Sequence, residues 1–338
     1  MGFNGIWIAG LAILLQQPVQ PVQPPQPNQP NQPNQIEEMQ LTIEHRGQSL
    51  AHVKREEYGL PGTSFLDIGK FNKLQAKLEK MINVPPANAY IGDRGQLVPE
   101  KMGYRLDRDQ FATQFYSYFF NNAPSTIDAP LSLVYARVDS ELLASIKEKA
   151  IGNYVTYYNS NNKNRSHNIS LAAKAISNTV VFPGETFSFN KTVGQRTVEK
   201  GYLSAGVIVR GELSEGVGGG ICQVSSTLYN AIDSAGLKIV QRYSHSRHVP
   251  YVMPGRDATV SWDGPDFMFQ NQYNQPVLIR AYAGSGRVFV SVYSSELIEY
   301  KHRVIPSMSK KLPEEIVIKT NSTIPEHSSE EEEGIGHE

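Results

Sequence analysis

Between Gln16 and Gln35 every residue is Gln, Pro or Asn except Val19 and Val22. A tract of that composition buries too little apolar surface to offset the entropy of ordering it, and its prolines hold it extended. Whatever folds in this chain must therefore fold after it. The apolar run GIWIAGLAILL, Gly5 to Leu15, stands on the far side, cut off from any core. At 1.5 Å per residue that run reaches only ~17 Å, short of a ~30 Å hydrocarbon core. Its length suits a signal-peptide apolar region, although no Lys or Arg precedes it and no small-x-small cleavage site follows. We expect residues 1–15 to be a signal peptide or short membrane anchor and 16–35 a linker, with a buried N-terminal helix as the alternative. The protein is then extracytoplasmic, in the cell envelope, touching the membrane only through its N-terminal segment.

The chain has 338 residues, enough for about two domains. Its 32 basic and 33 acidic residues nearly cancel, so no overall field exists to hold a polyanion, and nucleic acid is excluded as a general partner. A single cysteine, Cys222, rules out a disulfide framework and any multi-cysteine metal cluster.

The fold class is α+β. QLTIEH (Gln40 to His45) alternates like a strand, and Phe71, Leu74, Leu78 and Met81 recur at helical spacing until Val84-Pro85-Pro86. A hairpin turn at Asp93-Arg94-Gly95 and an aromatic helix from about Asp107 to Phe120 complete a small α+β domain over 36–138. Residues 139–164 read as a connecting helix, Ser140 to about Tyr157, and a loop. From 165 to 305 the pattern predicts a helix (Ile169 to Ser177), a turn at Phe182 to Glu185 into TFSFN, and a hairpin about Arg210-Gly211-Glu212. A Gly-rich loop then leads into a helix with apolar face Val224, Leu228, Ile232 and Ala235, stopped by Gly236. KIVQRY, ATVSW, DFMFQ, PVLIRAYA and RVFVSVYS alternate as strands of a mainly antiparallel sheet. Residues 306–338 are a polar, acidic tail.

The strongest chemical signal is GVGGGICQVSSTLYNAIDSAG, Gly216 to Gly236. Gly218, Gly219 and Gly220 make a loop that another chain can approach closely, and Cys222 lands in the first turn of the helix. Exposed N–H groups and the helix dipole there favour a thiolate and an oxyanion. A phosphate cradle is the weaker reading, since no Gly-Lys-Ser/Thr follows. A lone cysteine is more often an inert packing residue. Against that stand the glycines, the helix start, and the retention of a free thiol in a protein that reads as exported. In Ser244-His245-Ser246-Arg247-His248, either histidine is placed to act as the base for Cys222, with Asp257 or a carbonyl orienting it. His245 closely follows strand KIVQRY, which comes directly after the Cys222 helix, and His248 is held by the extended backbone before Pro250. Arg242, Arg247 and Arg256 suit carboxylates. A solvated basic loop is the plain alternative. Zinc held by Cys222, His245 and His248 fits the ligand types but no zinc spacing, so no metal and no cofactor is expected.

These residues resemble the VanW family of bacterial envelope proteins, named after an accessory gene of vancomycin-resistance clusters. The likeness runs from about Arg165 to Ser294 through RSHNISLAAKAI, VFPGETFSFNKTVGQRT, GGGICQVSSTLYNAI and HSRHVPYVMPGRDATVSW. AYIGDRGQLVPEKMGYRLD is more weakly similar to the peptidoglycan-binding domain that often precedes VanW domains, which assigns that role to 36–138. The resemblance implies a cell-wall role and, for Cys222, the nucleophile of an L,D-transpeptidase-like enzyme whose partners are peptidoglycan stem peptides. In that reading the loop amides from Gly220 to Gln223 hold the oxyanion, and Ser225, Ser226 and Asp257 join the arginines in contacting substrate. The rival is a non-catalytic peptidoglycan-binding or glycopeptide-tolerance accessory protein in which the cysteine only packs.

Overall fold

A computed structural model describes residues 40–121, 126–209 and 212–308. The expected signal or anchor, the linker, and the tail from 309 onward lie outside these residues. Among the described residues the strands are β1 (Gln40–His45), β2 (Gln48–Lys54), β3 (Tyr90–Ile91), β4 (Leu97–Val98), β5 (Gly103–Leu106), β6 (Thr126–Asp128), β7 (Leu131–Val134), β8 (Lys149–Tyr157), β9 (Thr179–Val181), β10 (Thr186–Ser188), β11 (Ser204–Val209), β12 (Glu212–Val217), β13 (Lys238–Gln241), β14 (Met268–Gln270), β15 (Val277–Gly284) and β16 (Arg287–Ser294). The helices are α1 (Ile68–Ile82), α2 (Arg108–Asn121), α3 (Ser140–Ile146), α4 (Lys163–Ile176), α5 (Phe189–Val193) and α6 (Ile221–Ser234). The α+β class holds, with strands that are mainly antiparallel. No described helix is long and apolar enough to cross a membrane.

Packing separates residues 40–74 and 109–129 from residues 75–108 and 130–308, the division falling inside α1. The stretch read as one small domain over 36–138 thus contributes to both units. In the smaller unit β1 pairs antiparallel with β2 and parallel with β6. Leu41 and Ile43, alternate residues of β1, are fully buried. The aromatic residues of α2 close that core. Phe111 and Phe115 both pack on Phe71, and the Tyr118 hydroxyl donates to the Val53 carbonyl at 3.2 Å. Met81 is exposed, against the expected pattern; Ile82 is the buried residue at the end of α1.

The larger unit is built on the antiparallel sheet β8-β16-β15-β9, covered by α4 and α6. Its core joins Ile169, Ala173 and Ile176 of α4 to Val224, Leu228 and Ile232 of α6 and to Val288, Val290 and Val292 of β16. Close approach is built in at Gly152 of β8, where a Cβ would lie 2.5 Å from the Ala235 amide nitrogen. A second sheet, β10-β14-β13, and the hairpin β11-β12 complete the frame of the site.

Three sequence expectations are corrected. The helix expected from Ser140 to about Tyr157 stops at Ile146, and 149–157 is a strand, because Ile151, Tyr154 and Thr156 are buried and the whole run pairs with β16. The polar run read as a loop starts α4 six residues before Ile169, since the Asn162 side chain caps it by accepting the Arg165 N–H at 3.1 Å. ATVSW forms no strand. Its first residue, Ala258, donates its N–H at 2.9 Å to the Ser226 hydroxyl of α6 instead of to a neighbouring strand.

Candidate active site

The glycine loop has a steric explanation at each position. Gly218 and Gly220 have φ of +89° and +104°, in the left-handed region where a Cβ is strained. Between them, a Cβ on Gly219 would lie 2.6 Å from the backbone of Ala205 and Gly206 in β11. The buried Asn168 of α4 pins the loop from below. Its side-chain amide donates to the carbonyls of Leu203 and Gly219 at 2.8 and 3.1 Å, and its oxygen accepts the Leu203 N–H at 2.8 Å. The amides of Gly219, Ile221 and Gln223 bond to the carbonyls of Gly216, Gly218 and Gly220. Among the described residues the amides of Gly220 and Cys222 have no acceptor. Of the four amides expected to form an oxyanion hole, Ile221 and Gln223 are thereby excluded.

Cys222 is half-buried at the start of α6. Its Sγ lies 3.8 Å from Thr259 Oγ1 and, as a thiol, donates to the Val260 carbonyl at 3.5 Å. The imidazole of His245 acts electrostatically on the same sulfur. On its other side His245 Nδ1 is 2.6 Å from Asp257 Oδ2, which also accepts the His245 backbone N–H at 2.6 Å. The result is an ordered Cys222–His245–Asp257 series with the histidine nearly enclosed, its side chain 6% exposed. The carboxylate meets the base directly and the base is coupled electrostatically to the nucleophile, which is the arrangement that activates a weak nucleophile.

Electrostatics favour the charged pair. Burial alone would raise the Cys222 thiol, but the hydrogen bond and charge of His245 outweigh it and bring the thiol below its ordinary value. Burial alone would lower His245, yet the hydrogen bond to Asp257 and then the interaction with Cys222 push it up to about 9. Asp257 would be raised by burial and is held below the usual carboxylate range by the two bonds from His245. Each shift supports the thiolate–imidazolium form at neutral pH.

The other expected site residues are distributed differently. His248 and Arg247 are exposed, and neither joins the Cys222 set. Arg242 donates to the carbonyls of Gly255 and Asp257 at 2.9 and 2.8 Å. Arg256 bonds Asn230 and pairs with Asp233, both at 2.6 Å, and both guanidinium groups lie against the Tyr229 ring. These two arginines brace the loop to α6, so they are not open carboxylate receptors. Ser225 and Ser226 are fully buried, and their hydroxyls bond the carbonyls of Cys222 and Ala258, so they hold the 258–260 segment against α6 instead of facing substrate. The Gln223 side chain is likewise buried, accepting from Arg165 at 2.6 Å and donating to Thr156 and the Tyr157 carbonyl at 3.0 Å. Sequence reading missed Thr259, Tyr251 and Arg196. Tyr251 is buried beside Ser226 and Cys222, and burial pushes its hydroxyl well above its ordinary value. Arg196, 26 residues upstream, feels the charge of Cys222, and its motif, VGQRT, carries no spacing signal that would tie it to the cysteine. No group of three or more His, Cys, Asp or Glu that suits a metal ion occurs among the described residues.

Residues 164–293 match the family model described as VanW like protein. The chain is 56% identical over 278 residues to the Uncharacterized protein YoaR of Bacillus subtilis (strain 168), an alignment covering 82% of this chain and 92% of that protein. It is 33% identical over 117 residues to the Vancomycin B-type resistance protein VanW of Enterococcus faecalis (strain ATCC 700802 / V583), covering 32% of this chain and 42% of that protein. No solved structure matches. The matched segment contains the glycine loop, Cys222, His245 and Asp257, and the likeness to one relative extends along most of both chains: the chain belongs to the VanW family.

Proposed function

We propose that the protein is an extracytoplasmic cysteine acyltransferase acting on peptidoglycan stem peptides in the manner of an L,D-transpeptidase. The observation that carries the chemistry is the Cys222–His245–Asp257 series. Membership of the VanW family and the printed name of the enterococcal relative support the cell-wall substrate class.

The Cys222 thiolate attacks the carbonyl carbon that follows the third stem-peptide residue, and the carbonyl electron pair moves to oxygen. The free amides of Gly220 and Cys222 are the donors available to that oxyanion. Collapse of the tetrahedral adduct breaks the C–N bond, and the His245 imidazolium gives its proton to the departing amine, leaving a thioester and a neutral imidazole. An amine of a neighbouring stem, or water, then attacks the thioester while His245 takes its proton, and the thiolate leaves. Asp257 holds the imidazole in register and stabilises its charged form. The test is muropeptide analysis of wall material treated with wild-type protein and with Cys222→Ser. Loss of the terminal residue or new cross-links with wild type alone is expected. Identical profiles from the two proteins would remove the enzymatic reading and leave a wall-binding protein.

A further inference from the structure

We propose that Arg196 is the receptor for the free C-terminal carboxylate of the acyl donor, so that the site removes a single terminal residue and does not cut within a peptide. The proposal rests on the cysteine acyltransferase reading and names its substrate class: a peptide whose scissile amide lies one residue from an α-carboxylate.

The Arg196 stem packs on the glycine loop, with a Cβ on Gly218 falling 3.1 and 3.3 Å from Arg196 Cβ and Cγ. The guanidinium lies beside the Phe189 ring, 5.9 Å from its centre, and Nη2 donates to Asn190 Oδ1 at 2.7 Å. Nη1 is buried and has no partner among the described residues. Nor does Arg196 form an ion pair there. The carboxylate in its neighbourhood, Asp266, is engaged by the Ser188 hydroxyl and by the amides of Asn190 and Phe267. A partly buried cation with a buried, unsatisfied donor is costly unless that donor meets an acceptor during function. The Arg196 stem lies against Gly218, in the loop that leads into α6 and Cys222, and the charge of Cys222 is felt at the guanidinium. A terminal carboxyl follows the preceding carbonyl by about one residue's rise, ~3.5 Å, so an anion held at Nη1 belongs to the residue next to the carbonyl under attack. A planar guanidinium with free N–H groups suits that anion better than an ammonium. The arginines that sequence alone offered for this role, Arg242 and Arg256, are engaged within the protein.

The test compares the rates at which iodoacetate and iodoacetamide alkylate Cys222 in the folded full chain, using the same pair of rates for glutathione as reference. Both reagents lose iodide to the attacking thiolate, and only the first carries a carboxylate. Wild type should favour iodoacetate by about tenfold over the glutathione ratio. Arg196→Gln should lose most of that preference, read as the ratio of the two rates so that any change in the thiolate itself cancels, and Arg196→Lys should keep part of it. The imidazolium of His245 is common to all three proteins, so the change between them reports the guanidinium. A ratio unchanged in Arg196→Gln, or both rates falling together, would overturn the proposal, the second outcome assigning Arg196 to the thiolate alone. Should Arg196→Gln fail to fold, protection of wild-type Cys222 by N-acetyl-D-alanyl-D-alanine and by its C-terminal amide decides. Protection by the acid at about tenfold lower concentration is expected, and equal protection overturns the idea. A thiol inert in the folded protein would instead sink the acyltransferase reading itself.

Discussion

Helices α2 and α6 each have 14 residues and sit in different units, yet they bury opposite chemistries. The buried face of α2 is Phe111, Phe115, Tyr118 and Phe119. On α6, Val224, Leu228, Ala231 and Ile232 are fully buried, and so are Gln223, Ser225, Ser226, Thr227 and Asn230. An aromatic face stabilises by area and shape, and neither directs a bond at a particular atom. Buried polar groups cost free energy unless paired, so their presence on α6 requires a matching set of partners. Those partners are the pieces of the site. Ser225 and Ser226 hold Ala258, Asn230 donates to the Arg256 carbonyl at 2.8 Å, and Gln223 holds β8. The segment thus fixed carries Thr259 and Val260 to Cys222 and Asp257 to His245. Polar burial on α6 exchanges some hydrophobic stabilisation for placement of a base and a carboxylate against a thiol.

The widest gap between the two helices should appear in catalysis. His245→Ala should lower acyl transfer by ~10² or more, whereas His248→Ala should leave it within about threefold, measured on the same muropeptide substrate. Equal losses in both variants would mean that the enclosed histidine is not the base. The aromatic helix should show the reverse behaviour: Phe115→Ala should cost ~3–5 kcal/mol in urea unfolding while iodoacetamide labelling of Cys222 in the folded protein is unchanged. A parallel fall in labelling would break the contrast, tying the aromatic core to the thiol. Asp257→Asn removes the anion that supports the imidazolium, so His245 should fall and the thiol rise. Labelling at pH 7 should then drop about tenfold, and its pH profile should shift to higher pH. Ser226→Ala should cost ~1–3 kcal/mol by leaving the Ala258 amide unpaired, and should slow labelling as well, an effect no purely structural residue of α2 should produce.

The smallest effect concerns pH and stability. The His245 pKa is raised in the folded protein to about 9 from 6.5, so its contribution is complete below pH 6.5 and is lost as pH rises through 9. The difference in Tm between wild type and His245→Gln should accordingly be a few degrees at pH 6 and shrink toward zero above pH 9. A difference that grows with pH would contradict an imidazolium held by Asp257.

Much of the framework was legible along the chain. Alternation placed β1, β15 and β16, and the 3.6-residue spacing placed α1, α2 and the buried face of α6. The reading failed where side chains replaced backbone partners. Residues 149–157, KAIGNYVTY, are rich in β-branched and aromatic residues, so extending α3 through them ran against local propensity, and their pairing with β16 makes them a strand. ATVSW alternates like a strand but is held by serines of α6. In the site, Cys222, the glycine loop and the candidate base His245 could be named from local sequence. The arginines could not be sorted. Arg242, Arg247 and Arg256 look alike in sequence, yet two are braces and one is exposed, while Arg196 went unmarked.

What the sequence determined by itself is local: three glycines that free the backbone of Cβ atoms, a helix that begins there, and a cysteine in its first turn. Backbone sterics and periodicity act over a few residues, and those can be read in order. The tertiary structure decided which of two histidines is enclosed and acts on the thiol, that Asp257 is bonded to it, and that the guanidinium left with an unpaired donor among the described residues is Arg196. Those choices depend on contacts between segments more than ten residues apart, set by how α4, α6 and the loop before β14 pack together, and no local propensity encodes them.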